Sequence, residues 1–178
     1  MTGIFISRRA FGLGAAALSL SACTKSGLDS IAHAKTFEET NVSDENTIDW
    51  ANMSDAMWKD RLTAEEYNVL RHEGTERPWS SPLNDEKRDG TYVCKGCELP
   101  LFTSSQKYDS GTGWPSFFDV IEGSVGTRVD RKLFVPRTEY HCSRCGGHQG
   151  HVFTDGPQPT RLRYCNNGVA IKFVPKSA

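Results

Sequence analysis

The chain has no surplus of charge of either sign. Lysine and arginine number 21 against 22 aspartates and glutamates, a formal charge of −1, so bulk electrostatics point to no polyanion and no nucleic-acid partner is expected. It also lacks an apolar run able to span a bilayer, because the stretch from Phe11 to Leu20 is short and rich in Gly and Ala. No βαβ pattern surrounds any cysteine, which argues against a thioredoxin-like redox motif. Apart from one doubled cysteine spacing there is no internal repeat. What remains is a composition of 37% hydrophobic and 24% charged residues over 178 positions, ordinary for one globular domain with one core.

Cysteine is present in a telling pattern. Cys94 and Cys97 form one C-x-x-C pair and Cys142 and Cys145 a second, a spacing that suits two knuckles wrapped round one tetrahedral ion. The favoured reading is a structural zinc held by all four thiolates. Disulfides or redox-active pairs are the alternative, since an even number of cysteines in an exported chain also fits a disulfide framework. A four-thiolate ion has no open coordination position, so any chemistry must lie elsewhere.

Residues 1–22 read as an address. Ser7-Arg8-Arg9-Ala10-Phe11 is a twin-arginine pattern, and Leu20-Ser21-Ala22-Cys23 resembles a bacterial lipobox that would leave Cys23 to be acylated. Cleavage after Ala32-His33-Ala34, an A-x-A site, is the alternative, giving a soluble periplasmic protein instead of a membrane-anchored lipoprotein in the periplasm. Residues 23–47 are polar and acidic without apolar periodicity and read as a flexible tether. The domain is expected over residues 48–178.

Within it, Trp50 and Trp58 should pack against the rest of the domain. Thr63-Ala64-Glu65-Glu66 is a capping box with Leu62 as staple, predicting a helix at about 63–73 that ends at Gly74 and covers a sheet. Beyond Pro78 the signals are those of antiparallel β structure. Short runs at 91–93, 120–121, 132–140, 151–153 and 169–174 are broken by Gly, Pro, Asp and Asn. In the last run Val169, Ile171 and Phe173 alternate with Ala170 and Lys172, so one face should be buried.

With four thiols and Cys23 assigned, Cys165 is the remaining strong nucleophile. Arg163, two residues away on the same side of an extended strand, would lower its pKa. An inert buried cysteine is the competing reading. His148 and His151 can exchange protons near neutrality, although H-x-x-H also fits a metal pair or two surface histidines. His141 is expected beside the zinc site and His72 on a helix surface, without assigned roles. Trp114, in the loop from Tyr108 to Phe118, can wall an apolar pocket or simply pack.

Taken together, GTGWPSFF, the two C-x-x-C knuckles, GHQGHVFTDGPQPT and RYCNN resemble the methionine sulfoxide reductase B family, from about Leu62 to Phe173. The resemblance implies a mainly β fold of two antiparallel sheets with one or more short N-terminal helices, one structural Zn²⁺, and reduction of the R epimer of methionine sulfoxide in oxidised proteins or peptides. It further implies that Cys165 attacks the sulfoxide sulfur and that His148, His151 and Asn167 position and protonate the departing oxygen. Trp114 would cradle the ε-methyl group, with Arg163 and Asp155 as supports.

Two positions depart from that pattern. Thr112 stands where many members carry a resolving cysteine, so a sulfenic acid on Cys165 is expected to be reduced by an external, thioredoxin-like dithiol. Asn166 stands where an apolar residue is common, which raises a question about the polarity of the pocket. The rival readings are a zinc-stapled β module that binds a partner, and a disulfide-rich interaction domain without zinc.

Overall fold

The structure is a computed structural model that describes residues 48–177. The expected leader, tether and Cys23 lie outside the described residues. Two short helices precede nine strands: α1 (Asp55–Arg61), α2 (Ala64–His72), β1 (Gly90–Cys94), β2 (Pro100–Thr103), β3 (Lys107–Tyr108), β4 (Ser116–Phe117), β5 (Val125–Asp130), β6 (Arg137–Cys142), β7 (His148–Phe153), β8 (Arg163–Asn166) and β9 (Ile171–Pro175). All pairings are antiparallel, in a three-stranded sheet ordered β2-β1-β9 and a six-stranded sheet ordered β3-β4-β8-β7-β6-β5. No helix among the described residues is long and apolar enough to cross a membrane.

The capping box forms as expected. Thr63 accepts from the Glu66 amide, Glu66 accepts from the Thr63 amide, and Leu62 is buried beneath. The helix stops one residue before Gly74, at Glu73 in a left-handed conformation. The preceding helix α1 falls within the one or more short N-terminal helices that the resemblance implied, although no residue pattern located it. Ser54 caps it by accepting from the Met57 amide, and its buried face is Trp58, whose ring lies 6.0 Å from Trp50.

The core lies between the sheets and is aromatic. Phe102 of β2 stacks on Phe117 of β4 at 4.0 Å, Tyr92 meets Phe117 edge-on at 4.9 Å, and Tyr140 meets Tyr164 at 5.2 Å. Strand alternation then places the residues between these on the opposite face of the large sheet. Asn166 belongs to the core face: its side-chain oxygen accepts from the Tyr140 hydroxyl at 2.6 Å. The question it raised about pocket polarity is thereby answered, because its amide is satisfied on the side away from Cys165.

Three β expectations need correction. Residues 120–121 form no strand. The run 132–140 is broken, residues 131–136 forming the hairpin tip between β5 and β6. In the last run, residues 168–170 form a 3₁₀ turn, so the alternation begins only at Ile171, which is buried, with Phe173 half-buried.

Candidate active site

The site is a row drawn across the large sheet. Ser116 of β4 pairs with Cys165 of β8, Cys165 with His151 of β7, His151 with Glu139 of β6, and Glu139 with Arg128 of β5. Directly opposed residues project to the same face, so side chains far apart in the chain become neighbours. His148 and His151, three apart, would normally point to opposite faces. The ladder between β6 and β7 shifts register, Tyr140 opposing Gly150 but His141 opposing His148, and the extra residue Gln149 returns His148 to the side of His151. The two imidazoles lie 5.5 Å apart, edge to face.

Cys165, His151, Asn167 and Trp114 line a single cleft of about 130 Å³, with Phe153, Arg137 and Thr75 completing its wall. Small-molecule sites run to roughly 300–1,000 Å³. This cleft therefore suits one unbranched side chain and not a nucleotide-sized cofactor. His148 is almost wholly buried and lies behind His151: its Nδ1 donates to Glu139 at 2.7 Å, and its Nε2 has no partner. Arg163 and Asp155 form a bidentate pair, both bonds 2.8 Å, with the guanidinium stacked on Phe153 at 4.3 Å.

Three carboxylates that hold this arrangement were not anticipated. Asp130 accepts from His151 Nε2 at 2.8 Å and from Arg137 at 2.6 Å, and hydrogen bonds from the Lys132 backbone N–H and from His151 keep it ionised well below the usual carboxylate range. Buried Glu139 is pulled upward by burial, yet its bonds to His148 and His141 leave it below its ordinary value. Glu76, also buried, accepts from the Gly168 and Val169 amides. Its own amide donates to Asn167 Oδ1 at 3.1 Å, and its carbonyl accepts from Trp114 Nε1 at 3.2 Å. No local sequence signal marks these residues, because the partners that place them at the site, His151 for Asp130, His148 for Glu139, and Asn167 and Trp114 for Glu76, arrive from other strands or loops. His141 meets Glu139 at 3.0 Å, and His72 packs edge-on against Tyr67.

The thiol of Cys165 behaves otherwise than expected. Burial pushes it above its ordinary value, and the opposing influences of the Arg163 charge and a hydrogen bond with Thr112 do not overcome that push. Arg163 does act in the expected direction, but it is the smaller effect. Thr112 also meets Ser110 at 2.8 Å, and Ser110 meets Ser116 at 2.7 Å. Burial likewise lowers the pKa of His151, with Asp130 opposing, so its ring is neutral at pH 7.

Away from the cleft, the two knuckles converge. Cys94 and Cys145 sulfurs lie 3.7 Å apart, Cys97 and Cys142 3.5 Å, and all four ligand atoms fall within 4.8 Å of one another. A tetrahedron of sulfurs about 2.3 Å from Zn²⁺ has edges of about 3.8 Å, so the donor set fits the ion. None of the described cysteines is disulfide-bonded. Each knuckle ends on a left-handed residue, Glu98 and Gly146.

The comparisons with known proteins agree with this geometry. The model of the SelR domain matches residues 62–175. A peptide methionine sulfoxide reductase MsrB of Agrobacterium fabrum is 49% identical over 70% of this chain and 93% of its own length. MsrB of Methanosarcina mazei is 52% identical over 67% of this chain and 86% of its own. The chloroplastic peptide methionine sulfoxide reductase B1 of Arabidopsis thaliana is 46% identical over 74% and 66%. A solved Mis18 'Yippee-like' domain aligns at a TM-score of 0.43 and 19% identity, covering 51% of this chain and all of that one. With the SelR model covering nearly all of the domain and relatives near 50% identity over most of their own length, the chain belongs to the SelR-domain family of MsrB-type peptide methionine sulfoxide reductases.

Proposed function

We propose that the chain reduces the R epimer of methionine sulfoxide in oxidised proteins and peptides, with Cys165 as the nucleophile. The single observation that carries this reading is the shared cleft, in which the one thiol outside the knuckles among the described residues meets an indole, an imidazole and a carboxamide in a space the size of one side chain. Trp114 and Phe153 would hold the ε-methyl and the thioether chain. Asn167, its amide oxygen engaged by Glu76 and one amide proton by the Gln149 carbonyl, retains a second proton to offer the sulfoxide oxygen.

His151 is the proton carrier in this reading. Its Nε2–H donates to Asp130, which leaves the Nδ1 lone pair as a base beside its register partner Cys165. Because the thiol's pKa is raised, deprotonation has to be supplied. His151 would take the thiol proton and return it to the sulfoxide oxygen, a contribution of about 10² to 10⁴ in rate for such positioned groups. The Cys165 sulfur bonds to the substrate sulfur, oxygen passes to Cys165, and methionine departs. The thiol is oxidised to a sulfenic acid as the sulfoxide is reduced to a thioether. His148 would support His151 from behind, and Arg163 with Asp155 would steady the strand beside the thiol.

The zinc knuckles would brace the fold. Their four thiols are committed to the metal site, Thr112 offers no sulfur and Cys23 is acylated on the far side of the tether in this reading, so two electrons must come from an external dithiol, which becomes a disulfide and releases water. Incubated with substrate but no reductant, the enzyme should release a single equivalent of methionine and carry one added oxygen on Cys165. An internal disulfide at that stage would contradict the scheme. Export by the twin-arginine route and acylation of Cys23 complete the proposal, supported by the Arg8-Arg9 pattern and the Leu20–Cys23 lipobox. Cleavage near Ala34 is the alternative.

A further inference from the structure

The cleft accepts one side chain, so the rest of a bound polypeptide must be held outside it. Among the described residues, half of the exposed large apolar side chains fall in one hairpin, while Ile48, Met57, Trp79 and Val174 lie elsewhere. Leu133, Phe134 and Val135 are consecutive at the β5–β6 hairpin tip, Val129 lies just before it, and Phe134 is wholly exposed. Three adjacent apolar residues at a tip leave most of their surface in water. An exposed apolar cluster of this kind marks a contact surface.

Its place in the fold says which contact. The tip is continuous with the cleft wall: Arg137, the first residue of β6, lines the cleft, and the Arg137–Asp130 pair at 2.6 Å closes the hairpin below the tip while Asp130 holds His151. The tip is also tied down, since Lys132 and Arg128 both bind Glu73 at the end of α2. Another exposed apolar residue, Trp79, lies against Gly113, next to the cleft residue Trp114, and its amide donates to the Gly113 carbonyl at 2.7 Å. Apolar surface thus adjoins two separate parts of the cleft wall.

We infer that the Leu133–Val135 tip, together with Trp79, grips the apolar residues flanking an oxidised methionine in a non-native polypeptide. This rests on the sulfoxide-reductase reading of the cleft. Methionine sits mainly in cores and apolar interfaces, and its oxidation disrupts that packing, so a damaged protein exposes apolar stretches of chain around the sulfoxide. A segment with its sulfoxide in the cleft would run along these rims. The occupant is an unfolded apolar stretch of another protein.

The test compares two substrates on two variants. Wild type, Leu133→Ser/Phe134→Ser/Val135→Ser and Trp79→Ser are assayed on free acetylated methionine sulfoxide and on an oxidised, unfolded protein. The expected result is unchanged kcat/KM on the free amino acid and a fall of roughly ten-fold on the unfolded protein for the triple variant, carried by KM, with a smaller fall for Trp79→Ser. Phe134→Leu, which keeps the surface apolar, should retain most activity on both. Equal kcat/KM on the protein, or an equal loss on both substrates, overturns the inference. So does a triple variant that loses only binding to anionic phospholipid vesicles, which would make the tip a membrane contact. Absence of turnover of the free sulfoxide by wild type would instead count against the reductase reading itself.

Discussion

At Cys165 two effects compete, and burial prevails over the neighbouring guanidinium. The thiol's folded pKa is raised above that of an ordinary thiol, so the thiolate is scarce at neutral pH and becomes populated only as the solution is made alkaline. Alkylation of Cys165 by iodoacetamide, read by peptide mass spectrometry on a Cys23→Ala background, should therefore have its midpoint above that of a free cysteine measured under the same conditions. Replacing Arg163 with Leu should move that midpoint further upward, since the guanidinium is one of the influences holding it down. A midpoint near neutrality would contradict this account of activation. The nucleophile, the imidazoles and the indole were legible as residue types in recognisable motifs. Asp130, Glu139 and Glu76 were not, because a carboxylate in a polar sequence looks like surface until a distant strand buries it.

The strands β7 and β8 carry the arrangement, and Gly150 of β7 lies hard against the β8 backbone. A Cβ there would stand 1.9 Å from the Cys165 carbonyl, a distance no backbone tolerates. Gly150→Ala should push the two strands apart, costing on the order of 3 kcal/mol and lowering activity well beyond the loss of folded protein. Circular dichroism melts and kcat/KM on the remaining folded fraction check both effects; wild-type values in both would show that the strand pair has slack. Legibility differed sharply between elements. The capping box at Thr63 announced α2, whereas α1 is seven residues long with one buried side chain. The Gln149 bulge is invisible in sequence, yet it puts His148 behind His151.

Across the whole domain, the metal site joins the two sheets, because Cys94 ends β1 in the small sheet and Cys142 ends β6 in the large one. Each helix is fastened to a knuckle as well: Arg61 donates to the Gly96 carbonyl and Arg71 to the Cys145 carbonyl at 3.0 Å. Four buried thiols without a cation have no favourable partner for their charge. Cys142→Ser should lose the zinc and lower the melting temperature by roughly 10–20 °C, with metal content measured by atomic absorption. A variant that melts like wild type without zinc would refute the bracing role. The repeated C-x-x-C spacing made this feature readable from sequence. Which strands it would tie together was not, since that depends on a sheet order with crossovers.

The most direct measurement sets Cys165→Ser against wild type on the separate R and S epimers of dabsylated methionine sulfoxide, with an added dithiol and with zinc content determined for both proteins. The account predicts R-epimer turnover by wild type, none by the variant, no S-epimer turnover by either, and equal zinc. R-epimer reduction that survives loss of the Cys165 sulfur would contradict it.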